Sequence, residues 1–247
     1  MLKKLNSVFK NPDLRLILKA LIFAGLLIWQ LSVKPAGFFP ILLFISASFY
    51  FYWRPVFLGR QFLVSFLVLL IVSFLAIKFL NFGIAGIASI LLLAVLFYLL
   101  LGIKNLIFVN RSSLYYLLSN ILFFLMFFFF FLIDKSQFFL IKYLSVGLGT
   151  FFLSKEFLFF FIPDFSKRRA LITAGFSFLI FELIWVISLL PIGFLNSSAL
   201  TLFAALILMD FIVNHFNGAL TRRVILRNAT SWIILSIIIF AASNWGL

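Results

Sequence analysis

Three carboxylates interrupt long apolar runs in the second half of the chain. Glu156, Glu182 and Asp210 each lie among residues that are almost all hydrophobic. An ionised side chain at the centre of a lipid-embedded helix costs about 2.5–3.5 kcal/mol on insertion scales. Such residues are therefore typical of ion or proton pathways, substrate sites and paired helices. These three carboxylates are the first candidates for function.

Two asparagines extend the polar pattern around Asp210. Asn214 and Asn217 follow it at spacings of four and three residues, so at about 100° per residue the three share one helix face. His215, the one histidine of the chain, lies off that face and is typical of an interfacial residue. On the sixth apolar segment, Glu156 ends a similar narrow sector of small and polar residues, which begins at Lys142.

These faces predict a polar cluster in the C-terminal half of the chain, formed mainly by the sixth and eighth apolar segments. Its candidate members are Glu156, Glu182, Asp210, Asn214 and Asn217. Two alternatives stay open. The residues around Asp210 are also typical of helix-packing contacts or of the wet end of a helix, and Glu182 is also compatible with a structural hydrogen bond.

The elements that carry these residues follow from composition. The chain has 247 residues, of which 66% are hydrophobic and 11% are charged, whereas soluble domains average about a quarter charged residues. Helices and closed barrels alone satisfy their backbone groups in lipid, and continuous apolar runs such as residues 121–130 favour helices. The sequence predicts an all-α polytopic integral membrane protein.

A membrane-crossing helix needs about 20 apolar residues, and Pro, Gly, Asn and charged residues mark its ends. This rule predicts nine transmembrane helices, at 14–32, 37–53, 61–80, 83–102, 114–133, 137–162, 170–190, 197–217 and 230–246. Residues 1–13 are predicted to form a basic amphipathic segment at the membrane surface. Residues 14–133 then form a five-helix half, and residues 134–247 form a four-helix half that holds most of the intramembrane charges.

The basic residues predict the orientation. With the N-terminus in the cytoplasm, fourteen of the 20 lysines and arginines fall in cytoplasmic segments, three fall in external loops and three fall within spans. Every cytoplasmic loop is then basic, as the positive-inside rule requires. We expect a cytoplasmic N-terminus, an external C-terminus and a multi-pass location in a prokaryotic cytoplasmic membrane.

Two clusters of basic residues flank the candidate helices. Arg168 and Arg169 precede the seventh predicted span, and Arg222 and Arg223 follow the eighth. These four arginines are candidate contacts for anionic lipid head groups. The alternative is that they act only as topology signals.

Composition and motifs exclude several chemistries. The chain has no cysteine and one histidine, which excludes disulfide partners, thiolate zinc sites and a multi-histidine metal site. It has neither a glycine-rich phosphate loop leading into a lysine nor a GxSxG motif. The net charge of +14 is explained by topology and not by nucleic acid. The sequence predicts no catalytic residue, no metal and no cofactor.

The last four predicted spans resemble the intramembrane CAAX-protease and bacteriocin-processing family. That family carries a double-Glu motif followed by Arg, then Phe-x-x-x-His, a spacer helix and His-x-x-x-Asn. This chain has "KEFLFFF" from Lys155, "FLIFE" ending at Glu182 and "FAASN" ending at Asn244. Only Glu156 and Asn244 match the pattern, and both histidines are replaced. The resemblance implies a relative that does not hydrolyse peptides.

Two classes of function remain. The first is a non-enzymatic membrane protein, either a small transporter or an assembly or scaffold subunit, whose partners are the lipid bilayer and other membrane subunits. The second is a non-catalytic or divergent relative of the CAAX-type proteases, or a lipid-handling membrane enzyme. A transporter requires Glu156, Glu182 and Asp210 around one cavity. A scaffold predicts dispersed carboxylates and no cavity, and the lipid-handling alternative requires a cavity open to the cytoplasmic leaflet and lined by Glu156, Arg169 and Arg222.

Overall fold

The long apolar runs of the chain fold as α-helices, because a helix satisfies its backbone hydrogen bonds internally. The computed structural model describes residues 12–33, 37–54, 61–133, 139–162 and 166–242. Within that part of the chain there are nine helices: α1 (Pro12–Ser32), α2 (Phe38–Trp53), α3 (Leu63–Phe79), α4 (Ile84–Lys104), α5 (Arg111–Leu132), α6 (Phe139–Phe161), α7 (Ser166–Leu189), α8 (Phe194–Phe216) and α9 (Arg222–Ala242).

Seven of these helices are long and apolar enough to cross a membrane, by length and composition. They are α1 and α4 to α9, and they indicate a multi-pass membrane protein. α2 and α3 are apolar but have 16 and 17 residues, fewer than the about 20 that a crossing helix needs. The surface segment predicted at residues 1–13 lies almost wholly outside the described residues.

Eight of the nine predicted segments coincide with helices to within a few residues, and the last one does not. α9 begins at Arg222, whereas the hydropathy rule predicted a start at residue 230. The prediction was wrong because it assigned the arginines of this region to a loop. In the structure the chain turns back into a helix at Thr221, whose Oγ1 accepts a hydrogen bond from the Val224 N–H at 3.4 Å, the usual role of an N-cap residue.

The chain divides into two compact units, Met1–Leu118 and Ser119–Leu247, and the boundary falls inside α5. In the first unit α1 packs against α2, α3 and α4, and α3 packs against α4. Aromatic side chains fill its core: Phe23 stacks on Phe97 with ring centroids 4.3 Å apart, and Tyr52 stacks on Phe66 at the same distance. Offset stacking of this kind adds to the energy of burial.

In the second unit α7 packs against α6 and α8, and α8 packs against α9. Some of its buried hydroxyls donate to the carbonyl one turn earlier in their own helix, as Ser154 does to Thr150 at 2.6 Å and Thr201 to Ser197 at 2.8 Å. α9 is exposed along nearly its whole length.

Candidate functional site

Asp210 lies on α8 and is held by the neighbouring helix α9. The Asn228 Nδ2 group donates a hydrogen bond to Asp210 Oδ2 at 2.5 Å, and Asn228 is buried. Since α9 buries little else, this bond is a main attachment between the two helices.

The two asparagines that follow Asp210 belong to the end of α8. Asn214 Nδ2 donates to the backbone carbonyl of Asp210 at 2.9 Å, within the same helix. Asn217 is the exposed C-cap residue, and Gly218 next to it has φ +66°. The Ala219 N–H then donates to the Asn214 carbonyl at 2.9 Å, which is the Schellman arrangement that ends many helices. Among the described residues, neither asparagine side chain bonds to another helix, and the amide that joins α8 to α9 is that of Asn228.

His215 is exposed on α8. Its ring lies 5.3 Å from that of Phe216, centroid to centroid. This placement agrees with its interpretation as an interfacial residue.

Glu156 is buried in α6. It is the last residue of a face of small and polar residues that begins at Lys142, and the earlier part of this face packs towards α5. At the other end of this face, the Lys142 Nζ group donates to the Ile133 carbonyl at 2.7 Å and lies 4.4 Å from the centre of the Phe130 ring. Between them, a Cβ atom added at Gly149 would meet the Met126 sulfur at 2.6 Å. The part of the α6 face from Lys142 to Gly149 thus has α5 as its neighbour.

The space where α6, α7 and α8 converge is almost closed. A cavity of about 10 Å³ there is lined by Leu158, Ile162, Arg169, Ile172, Ile212 and Phe216. That volume holds at most about one water molecule. None of the three carboxylates lines this cavity or the larger one at the start of α9.

Glu182 lies on the exposed face of α7. Phe178 and Trp185, one turn before and after it, are 60% and 57% exposed. Among the described residues Glu182 has no hydrogen bond or ion pair. The structure thus places Glu182 away from the buried Glu156 and from the Asp210–Asn228 pair, and it brings only Asp210 and Asn214 of the predicted cluster together.

The first unit contains a charged cluster that the sequence did not reveal. Lys104 is buried, donates from Nζ to the Tyr52 carbonyl and lies 4.0 Å from the centre of the Tyr52 ring. Lys19 Nζ donates to the carbonyls of Phe51 at 3.1 Å and of Arg54 at 2.6 Å. Two ammonium groups from α1 and α4 therefore bind the C-terminal end of α2, where unpaired carbonyls and the helix dipole both favour cations.

The same arrangement recurs at other helix ends. The Arg111 Nε group donates to the Ile103 carbonyl at 3.0 Å, at the end of α4. Arg169, a candidate head-group contact, is buried and donates from Nη2 to the Ile162 carbonyl at 2.8 Å, just after α6. Basic residues that read as topology signals thus also bind the terminal carbonyls of helices.

The other head-group candidates lie near the start of α9 or outside the described side chains. Arg222 and Arg223, together with Arg227, line a shallow cavity that is open to the surface along one face of α9, whose remaining lining residues are Leu226, Thr230 and Ser231. The Arg168 side chain lies outside the described residues. Arg227 was not singled out from the sequence, because its predicted position in a loop concealed that it shares a helix with the other two arginines.

The sequence did hold signals for the residues that were missed. Asn228 precedes the span predicted from residue 230, whereas the helix start at Arg222 places it on α9. Lys19 and Lys104 each lie near one end of an apolar segment, as a residue that binds helix-end carbonyls must. The sequence does not show which helix packs beside each of these residues.

Helices of this length and composition define an integral membrane protein of the multi-pass helical class. No family model, no curated protein and no solved structure matches the chain. The resemblance to the CAAX-protease family stays a prediction from sequence. Of the residues that carry it, Asn244 lies outside the described part of the chain.

Proposed function

We propose that the protein crosses a prokaryotic cytoplasmic membrane nine times, with its N-terminus in the cytoplasm and its C-terminus outside. The distribution of lysine and arginine supports this orientation. The apolar character of α2 and α3 supports counting them as crossing helices, because a short helix is accommodated by local thinning of the bilayer.

We propose further that the protein is a non-enzymatic assembly subunit of a membrane complex. The observation that carries this proposal is the dispersal of the three carboxylates. Glu156 is buried in α6, Asp210 is paired with Asn228, and Glu182 is exposed on α7. A transporter is the less supported version of the proposal, because its ionisable groups would surround one pathway through the protein.

The test is the composition of the particle in mild detergent. The purified protein should migrate as a complex larger than its own 28.4 kDa chain plus bound detergent, with a second protein present in a fixed ratio across independent preparations. Chemical cross-linking in intact membranes before extraction should give the same pair. A particle that contains a single copy and nothing else, with and without cross-linking, would contradict the proposal.

The cavity at the start of α9 supports a second candidate function, the binding of anionic lipid head groups. Arg222, Arg223 and Arg227 line it without any acidic residue, and clustered arginines beside a membrane helix attract phosphate-bearing lipids. The replacement of Arg223 and Arg227 by glutamine should lower the amount of phosphatidylglycerol retained after delipidation several-fold. Replacement of the exposed Lys78 by glutamine is the control, since it removes a cation elsewhere. Equal lipid retention in all three proteins would remove this candidate.

A further inference from the structure

The two faces of α7 differ sharply in what they contact. One face is buried against the rest of the second unit and includes Phe176, Ile180, Ile184 and Ile187. The opposite face is exposed from one end of the helix to the other, and its large residues are Leu171, Phe178, Leu179, Trp185, Val186 and Leu189, each between 47% and 77% exposed. We name this second set, together with Glu182, the free face of α7.

The free face has a close-approach region near its beginning. Ala170, Ala174 and Gly175 are exposed there, and a Cβ atom added at Gly175 would meet nothing within 4 Å. Small residues at four-residue spacing let the backbones of two membrane helices approach closely. Small residues alone do not identify a binding partner. The chemistry of the partner is inferred from Glu182.

Glu182 places a carboxyl group on the free face, within the length of α7. It lies about 10 Å from the Leu189 end of α7 and about 24 Å from the Ser166 end, at a rise of about 1.5 Å per residue. It has no hydrogen bond or ion pair among the described residues. In hydrocarbon, charged side chains pair with one another, so a cation at the same depth complements this face.

We infer that the free face of α7 binds a membrane-spanning helix of another protein, and that this helix carries a lysine or arginine opposite Glu182. The inference rests on the proposed role as an assembly subunit and names the class of partner. The occupying helix lies along Ala170, Ala174 and Gly175 at one end and beside Trp185 at the other. Its cation forms an ion pair with Glu182 in between.

Lys155 of a second copy does not supply this cation. It is an exposed lysine on α6 of the second unit. It lies about 9 Å from the Phe161 end of its helix, and that end is the one joined to the start of α7. Measured from the same side of the membrane, Lys155 and Glu182 differ in depth by about 15 Å. Two copies inserted in the same orientation would therefore not bring these residues together.

The test uses a photo-cross-linking amino acid, p-benzoylphenylalanine, at position 178 in the full-length protein, in membranes of the cells that produce it. The control protein carries the same amino acid at position 144, which is exposed on α6. Irradiation should give an adduct of one discrete mass from position 178. Mass spectrometry should identify the attached peptide as a membrane-spanning segment that contains lysine or arginine.

Variants then test the role of the charge. Glu182→Gln should lower the yield of the adduct at least five-fold, Glu182→Asp should largely retain it, and Glu182→Lys combined with an acidic residue in place of the partner's cation should restore it. Asp210→Asn is the matched control, since it removes a carboxylate from another helix of the same unit, and it should leave the yield unchanged. Equal membrane abundance and equal elution volume of the variants confirm that they fold.

Four outcomes would overturn the inference: an adduct with a second copy of this chain, adducts with lipid only, a partner segment without a basic residue, or a yield that Glu182→Gln does not change. If a complex still purifies in mild detergent in any of these cases, the assembly role stands and the inference about α7 fails alone. If no second protein purifies or cross-links at any position, both fail.

Discussion

The lysines of the first unit and the carboxylates of the second differ in whether they find partners within their own unit. Lys19 and Lys104 are embedded in their unit and bind the carbonyls at the end of α2. Glu182 is exposed and has no hydrogen bond or ion pair among the described residues. Each group is costly to remove from water, so each needs compensation. For the lysines the compensation is internal.

Asp210 lies between these two extremes. Its carboxylate accepts a hydrogen bond from Asn228 within its own unit, yet it remains partly exposed. A membrane-embedded charge is therefore not a functional group by default. A charge compensated by its own fold stabilises that fold, and a charge without such compensation points to something outside it. Substitutions that remove each charge in turn should separate these cases.

The largest effect is expected for Lys104→Met, which keeps much of the side-chain volume and removes the ammonium group. The Tyr52 carbonyl then loses its donor in buried surroundings, which costs about 2–3 kcal/mol. The free energy of unfolding, titrated with sodium dodecyl sulfate and followed by tryptophan fluorescence, should fall by that amount.

Lys78→Met is the control for Lys104→Met, because Lys78 is exposed on α3 and its loss should change the free energy of unfolding by less than about 0.5 kcal/mol. Burial of an ammonium group also has a cost, which its replacement relieves. If the Lys104→Met protein is as stable as the parent, the cost of burying the ammonium group equals the stabilisation from its hydrogen bond to the Tyr52 carbonyl. Lys104 would then not differ from Glu182 in being stabilised by its own unit.

The second effect concerns Asn228→Leu, which leaves Asp210 without its donor. We expect a loss of about 1–2 kcal/mol, confined to the attachment of α9. Hydrogen exchange should become faster along α9 and the end of α8, with α6 and α7 unchanged. Asn214→Leu is the matched control, since the Asn214 amide bonds only to its own helix. Equal exchange in the two variants would show that the bond to Asp210 does not hold α9 in place.

Lys19→Met should have a smaller effect than Lys104→Met, about 1 kcal/mol. Lys19 binds two carbonyls but is only half-buried, so water can replace part of what the ammonium group provides. The measurement is the same detergent titration. The double variant of Lys19 and Lys104 should lose more than the sum of the two single losses, because both groups bind one helix end. Strict additivity would argue that the two lysines act independently.

The positions of the helices could be predicted from the sequence, and the partners of the charges could not. An apolar run of sufficient length dictates a helix in lipid regardless of tertiary contacts, so α1 to α8 were found to within a few residues. α9 was the exception, because its first turns contain Arg222, Arg223 and Arg227, which hydropathy assigns to a loop. The helix nevertheless extends through them, with Thr221 as its N-cap.

There is a physical reason why the sequence did not predict which face of each helix is buried. In a soluble protein the polar face of a helix points to water, and periodicity reveals the core. Lipid tails are as apolar as leucine, so the buried and exposed faces of α7 have similar side chains, such as Phe176 and Phe178. The shared face of Asp210 and Asn214 followed from their spacing. The partner of Asp210, which is Asn228, depends on which helix packs beside α8.

The smallest effect on stability is expected for Glu182→Leu. This variant tests directly whether Glu182 is stabilised by its own unit, as Lys104 is. Glu182 makes no internal hydrogen bond or ion pair in the described part of the chain, so its loss should change the free energy of unfolding of the isolated protein by less than about 0.5 kcal/mol, or should increase it. Trp185, one turn away, reports on the same helix. A loss comparable to that of Lys104→Met would mean that Glu182 supports its own unit. Its charge would then require no partner beyond the chain.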